Sequence, residues 1–168
     1  LDINYVSPTS VHGRLDKLMT KLSRLQDSLV EDDLAGAKEE VIFIASSFIE
    51  LCQQNIYQIL GELYVSETRK ISYVKPMYIA ASMFELIKRY NRFKEQEIVS
   101  PSMQNDLVIG ALLYNIGFLI NTKMIGSGTQ ELTIEEKRDL KTNYQAKSIE
   151  MMQKLGFSNP SVLVALKN

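Results

Sequence analysis

Leu15, Leu18, Leu22, Leu25 and Leu29 recur at spacings of three and four, while Arg14, Lys17, Lys21 and Arg24 fall off that line. An apolar stripe with charge beside it predicts a helix that buries one face. Ser7-Pro8 ahead of it reads as an N-cap followed by proline at the first helical position. Glu31-Asp32-Asp33 ends this helix in a charged turn. From about Asp33 the periodicity resumes at Val41, Ile44, Ala45, Phe48, Cys52, Ile56 and Ile59, with an interruption expected near Gln53-Gln54-Asn55. The two segments form a helical hairpin joined by a short acidic turn. Gly61 to Ser72, with its Ser-Glu-Thr-Arg-Lys run, reads as a linker.

The next predicted helix covers Tyr73 to Tyr90, with Ile79, Met83, Leu86, Ile87 and Tyr90 facing inward. Pro76 must then lie in its first turn, because farther in it would remove a backbone hydrogen bond and clash. Arg89 to Glu97 reads as a charged loop or helix end. Ser100-Pro101 and Asn159-Pro160 repeat the cap-and-proline pattern. Sixteen uncharged residues separate Asp106 from Lys123, the longest apolar segment of the chain. As one helix it would run about 24 Å. It falls short of a membrane span and carries Asn115 and Asn121, so it reads as the central core helix. A loop with Gly126 and Gly128 follows, and Thr133 with Glu136 three residues on forms a capping box. Helices are thus expected to start near Pro8, Asp33, Tyr73, Pro101 and Thr133, with a short one at Pro160. No strand pattern competes, so the predicted fold is all-α, residues 1–70 being a hairpin packed on a helical domain of residues 71–168.

Composition narrows the function classes. At 168 residues, 45% hydrophobic and 23% charged, the chain matches an ordinary soluble domain able to bury most of its unfolded surface. Nineteen basic and 20 acidic residues give a net charge of −1, which supplies no overall attraction to nucleic acid or anionic lipid. The single cysteine, Cys52, rules out an intramolecular disulfide and fits a reducing compartment. No signal peptide is visible, and the start without Met and the stop at Asn168 in mid-pattern suggest a fragment of a longer chain.

One stretch carries a resemblance. Tyr114-Asn115-Ile116-Gly117-Phe118, then Ile125, then Leu132-Thr133 with Glu135-Glu136, then Lys141-Thr142-Asn143-Tyr144 overlay, without insertion or deletion, the pattern HDIGK, IL, LTxEE, MKxHP. That pattern resembles the HD-GYP family of the HD phosphohydrolase superfamily. The resemblance implies an HD-domain-like helical bundle and a cytoplasmic bacterial signalling role. It also implies a metal site, and there the chain departs: Tyr114-Asn115 stand at the family's His-Asp, Phe118 at its Lys and Asn143-Tyr144 at its His-Pro. An earlier family His, in a context like YxxHSxxVA, aligns with Lys75 in Tyr73-Val74-Lys75-Pro76. A late His-His pair falls at Asn168.

These substitutions predict loss of the reaction. HD enzymes hydrolyse phosphate esters with metal ions held by imidazoles and carboxylates. A neutral amide cannot balance a divalent charge, a phenol with a pKa of about 10 stays protonated, and an ammonium repels a cation. The chain has one histidine, His12, far in sequence from any other candidate ligand. Asp106, Glu135, Glu136 and Asp139 could be pictured as a metal cluster, but Glu136 caps a helix and Asp106 opens one, so no metal and no cofactor is expected. His12 reads as a surface or capping residue, and Cys52, Met151, Met152 and Phe157 as core. Lys75 and Lys141 read as solvated or paired lysines, with phosphate binding as the sharper alternative. The resulting expectation is a catalytically inactive HD-GYP-like regulatory or scaffold module with a protein partner or a second copy of itself. The alternatives are a non-hydrolysing cyclic di-GMP sensor and, third, a surviving phosphodiesterase.

Overall fold

The computed structural model describes residues 10–67, 73–125 and 133–167, and their regular elements are all helical. They are α1 (Val11–Val30), α2 (Ala37–Glu67), α3 (Val74–Lys94), α4 (Pro101–Leu113), α5 (Ile116–Ile125), α6 (Ile134–Lys154) and α7 (Pro160–Lys167). The all-α expectation therefore holds. Helices α2 and α4 lie at the centre: α2 packs on α1, α3 and α4, and α4 on α3 and α7. On the other flank, α5 joins α1 to α6.

The leucine stripe of α1 is buried as its spacing predicts, Leu15, Leu18, Leu22, Leu25 and Leu29 all lying in the core. Facing it, α2 buries Val41, Ile44, Ala45, Phe48, Leu51, Cys52, Ile56, Ile59 and Leu63. Full burial of each large side chain stabilises by about 1.5–3 kcal/mol, enough to hold two helices whose propensities alone would not. Burial also pushes the Cys52 thiol up to about 12, so it is a packing group and not a nucleophile.

Local chemistry sets most ends. Ser10 caps α1 by accepting from the Gly13 N–H at 3.0 Å, while Ser7-Pro8 lies outside the described residues. Ser100 caps α4 with Pro101 at its first position, as expected. The capping box at Thr133 is complete: its hydroxyl accepts from Glu136 N–H, and the Glu136 carboxylate accepts from Thr133 N–H at 2.7 Å. That bond holds the Glu136 carboxyl below its usual range. Asn159 opens α7, its side chain accepting from Ser161 N–H at 2.9 Å.

Four expectations need correction. The second helix starts at Ala37, not Asp33, because the Asp33 carboxylate accepts from Ala35 N–H at 3.2 Å and holds a turn instead. Gly61–Glu67 is the last part of α2, not linker; residues 68–72 lie outside the described set. The interruption in α2 falls at Asn55 (φ −144°, ψ 39°), where it was expected. In α3 the inward face is Val74, Pro76, Met77, Ala80, Ala81, Phe84 and Ile87. Leu86 and Tyr90, expected inside, are exposed, and Ile79 and Met83 are only partly covered. The charged stretch after Arg89 stays helical to Lys94 and stops at Glu95, which is left-handed at φ 52°.

The fourth correction concerns the apolar centre. It is not one helix: the chain breaks between α4 and α5 at Tyr114-Asn115. By length and composition Pro101–Thr122 is apolar enough to cross a membrane, a test that soluble core helices also pass. Val108, Ile109, Ala111, Leu112, Leu113 and Ile116 are all buried inside the bundle.

Candidate functional site

The break is a joint assembled from three distant parts of the chain. Ending α4 at Leu113 and restarting at Ile116 leaves backbone groups without helical partners. Ser148, on α6, supplies two of them with one hydroxyl: it accepts from Gly117 N–H at 2.9 Å and donates to the Tyr114 carbonyl at 3.0 Å. The Asn115 carbonyl accepts from Phe118 and Leu119 N–H, closing the first turn of α5. Its side-chain oxygen accepts from Gln26 Nε2 at 3.5 Å, and Gln26 is a buried polar group on α1.

Gly117 makes this approach possible. A Cβ there would stand 2.0 Å from the Tyr144 carbonyl oxygen and 2.6 Å from Ser148 N, both backbone atoms of α6. The two helix backbones touch at that point, with no room for any other residue.

The residues singled out from the sequence are thus partly gathered. Tyr114 and Asn115 form the joint and are half-buried, while Phe118, one turn on, is 45% exposed. Asn143 is exposed on α6, next to the Tyr144 whose backbone meets Gly117. Lys75 is exposed on α3, which packs on α2 and α4, whereas α6 packs on α5 and α7. Lys141 lies in α6, its side chain outside the described residues, as are Asn168 and the loop with Gly126, Gly128 and Leu132.

Among the described residues no three His, Cys, Asp or Glu side chains gather as a metal site. His12 is exposed and meets the Glu62 carboxylate at 2.9 Å. Asp106 accepts from Asn159 Nδ2 at 2.5 Å, and burial raises its pKa, so it ties α4 to the start of α7. Glu135 and Asp139 are exposed. A cavity of about 290 Å³ opens on the α5–α6 contact, lined by Leu29, Ile120, Lys147, Glu150, Met151 and Lys154 among others. Its two lysines, Lys147 and Lys154, share the lining with two carboxylates, Asp32 and Glu150, each 3.5 Å from Lys154, so the lining carries no net positive charge to attract a phosphate.

Sequence reasoning missed Gln26 and Ser148. Gln26 had a signal: it continues the spacing of Leu22 and Leu29, a polar residue on an apolar face. Ser148 had only its place one turn before the buried Met151 and Met152. Replacing Ser148 by alanine should orphan both the Gly117 N–H and the Tyr114 carbonyl, costing about 1–3 kcal/mol. A urea midpoint unchanged from the parent would show that the hydroxyl is dispensable.

Comparison with protein-family models, with curated proteins and with solved structures gives no match.

Proposed function

We propose that this protein is a catalytically inactive, HD-GYP-like helical module that acts in bacterial signalling by contact with another protein. One observation carries the reading: the position that aligns with the family's His-Asp pair is a closed structural joint. Asn115 spends its side chain on Gln26, and the backbone on either side of it is bonded to Ser148. Phosphoryl hydrolysis of the HD type needs an open cluster of imidazoles and carboxylates holding metal ions. At this joint the side chains that meet are an amide, a second amide and a hydroxyl, none of which balances a dication.

Elemental analysis of the purified chain after incubation with Mn or Fe tests this. Well under one equivalent of metal per chain is expected, with no hydrolysis of cyclic di-GMP. Stoichiometric metal would overturn the reading. Heat of binding with cyclic di-GMP but no turnover would replace the contact module by a sensor.

A further inference from the structure

Helix α3 is apolar on two faces. One is the core face already described. The other is the line Ile79, Met83, Leu86, Tyr90 and Phe93, spaced four, three, four, three, as in a coiled-coil seam. Its outer part points to solvent, Leu86 being 66% exposed and Phe93 80%, while Ile79 and Met83 are half-buried against the core. A second apolar line on a helix is normally covered as well, and the part of this one from Leu86 to Phe93 is not.

The adjoining surface of α2 continues it. Tyr57 and Tyr64, 69% and 65% exposed, run antiparallel to α3. The Tyr57 hydroxyl donates to Glu85 at 3.3 Å and accepts from Arg89 at 3.1 Å, and the Tyr64 ring lies 6.5 Å from that of Tyr78. Between them, on the same line, stands Gly61. A Cβ there would meet nothing within 4 Å, so no internal contact demands a glycine. Glycine inside a helix is unfavourable, and its effect here is a notch between two exposed rings.

Charge decides what fits. Helix α3 carries five bases, Lys75, Lys88, Arg89, Arg92 and Lys94, against one acid, Glu85, in a chain of net charge −1. Glu85 pairs with Arg89 at 2.7 Å, which offsets that one base and leaves the helix a net charge of +4, five bases less one acid. The charged side chains that flank the seam in coiled-coil register are Lys75, Arg89 and Lys94, all positive, and Lys94 lies over the rings of Tyr90 and Phe93. Flanking charges select partners, so pairing two α3 seams would set base against base. Glu95 and Glu97 follow only beyond the helix end.

We propose that the α2–α3 face, centred on Leu86 with Gly61 as its notch, docks an amphipathic helix of a partner protein. That helix carries an apolar seam flanked by Asp or Glu. This inference rests on the contact-module reading above and names the class of partner.

The test uses the full chain and two fluorescent peptides of about three heptads, both with Leu in the seam, one flanked by Glu and the other by Lys. The Glu peptide should bind, with affinity falling as salt rises, and the Lys peptide should bind at least about tenfold more weakly. Leu86→Ser with Phe93→Ser should weaken the Glu peptide roughly thirtyfold. Gly61→Gln should weaken it about tenfold without lowering Tm. Equal binding of the two peptides, no binding of the Glu peptide, or indifference to these substitutions overturns the proposal. So does sedimentation with phosphatidylserine vesicles, or self-association, that the same substitutions abolish, since the face would then serve a membrane or a second copy. A metal-free chain that ignores the peptide sinks the partner class alone, whereas a metal-loaded chain sinks the reading beneath it.

Discussion

Gly117→Ala should destabilise the protein by about 3 kcal/mol or more, the range of severe overpacking in a rigid core. For a domain of this size that lowers Tm by roughly 10 °C. The added methyl would sit 2.0 Å from the Tyr144 carbonyl oxygen and 2.6 Å from Ser148 N. Both are backbone atoms inside α6, so no rotamer change relieves the clash. The helices must separate, and separation breaks the two bonds that Ser148 makes across the joint. Gly61→Ala is the internal control, because it introduces the same methyl into open space and should stabilise by about 0.5–1 kcal/mol through helix propensity. Thermal melts of the two variants should move in opposite directions. A Gly117→Ala protein that melts with the parent would mean that α5 and α6 are not in backbone contact.

Phe48→Ala should cost about 3–5 kcal/mol, the usual result of deleting a fully enclosed aromatic ring. Phe48 is 0% exposed on α2, the helix that meets α1, α3 and α4, so its ring is wholly enclosed in the core. Leu86→Ala should change stability by less than about 0.5 kcal/mol, since Leu86 is 66% exposed and faces outward from α3. Chemical denaturation of both variants reads the difference directly. If Leu86→Ala proved as damaging as Phe48→Ala, the outer face of α3 would be packed against something, and the docking surface would not exist as described.

The contrast between Phe48 and Leu86 also marks where sequence stops being informative. Both sit in stripes at helical spacing. On α1 a single stripe runs along the helix, and on α2 the run from Val41 to Ile59 outweighs the scattered Ile42, Phe43, Tyr57 and Tyr64, so periodicity names the buried face, and Leu15 to Leu29 and Val41 to Ile59 are buried accordingly. Helix α3 has two apolar stripes, and periodicity cannot rank them. Packing on α2 and α4 takes Met77, Ala80, Ala81 and Phe84, covers Ile79 and Met83 in part, and leaves Leu86, Tyr90 and Phe93 outside.

The candidate site divides the same way. Its residues Tyr114, Asn115 and Gly117 could be picked out by eye, but their roles depend on Ser148, 31 residues beyond Gly117, and on Gln26, 89 residues from Asn115. Sixteen uncharged residues look like one helix until a distant hydroxyl makes a break affordable.

By itself, the sequence determined what is local. The 3.6-residue period, the caps at Ser100 and Thr133 and the place of the prolines all act within a turn or two, and they suffice to make the chain all-α. Only the tertiary structure decided which face of α3 is buried, that the apolar centre is jointed, and that Gly117 lies against another backbone. Those outcomes turn on close contacts between segments far apart in the chain, and the spacing of residues along one helix carries no information about them.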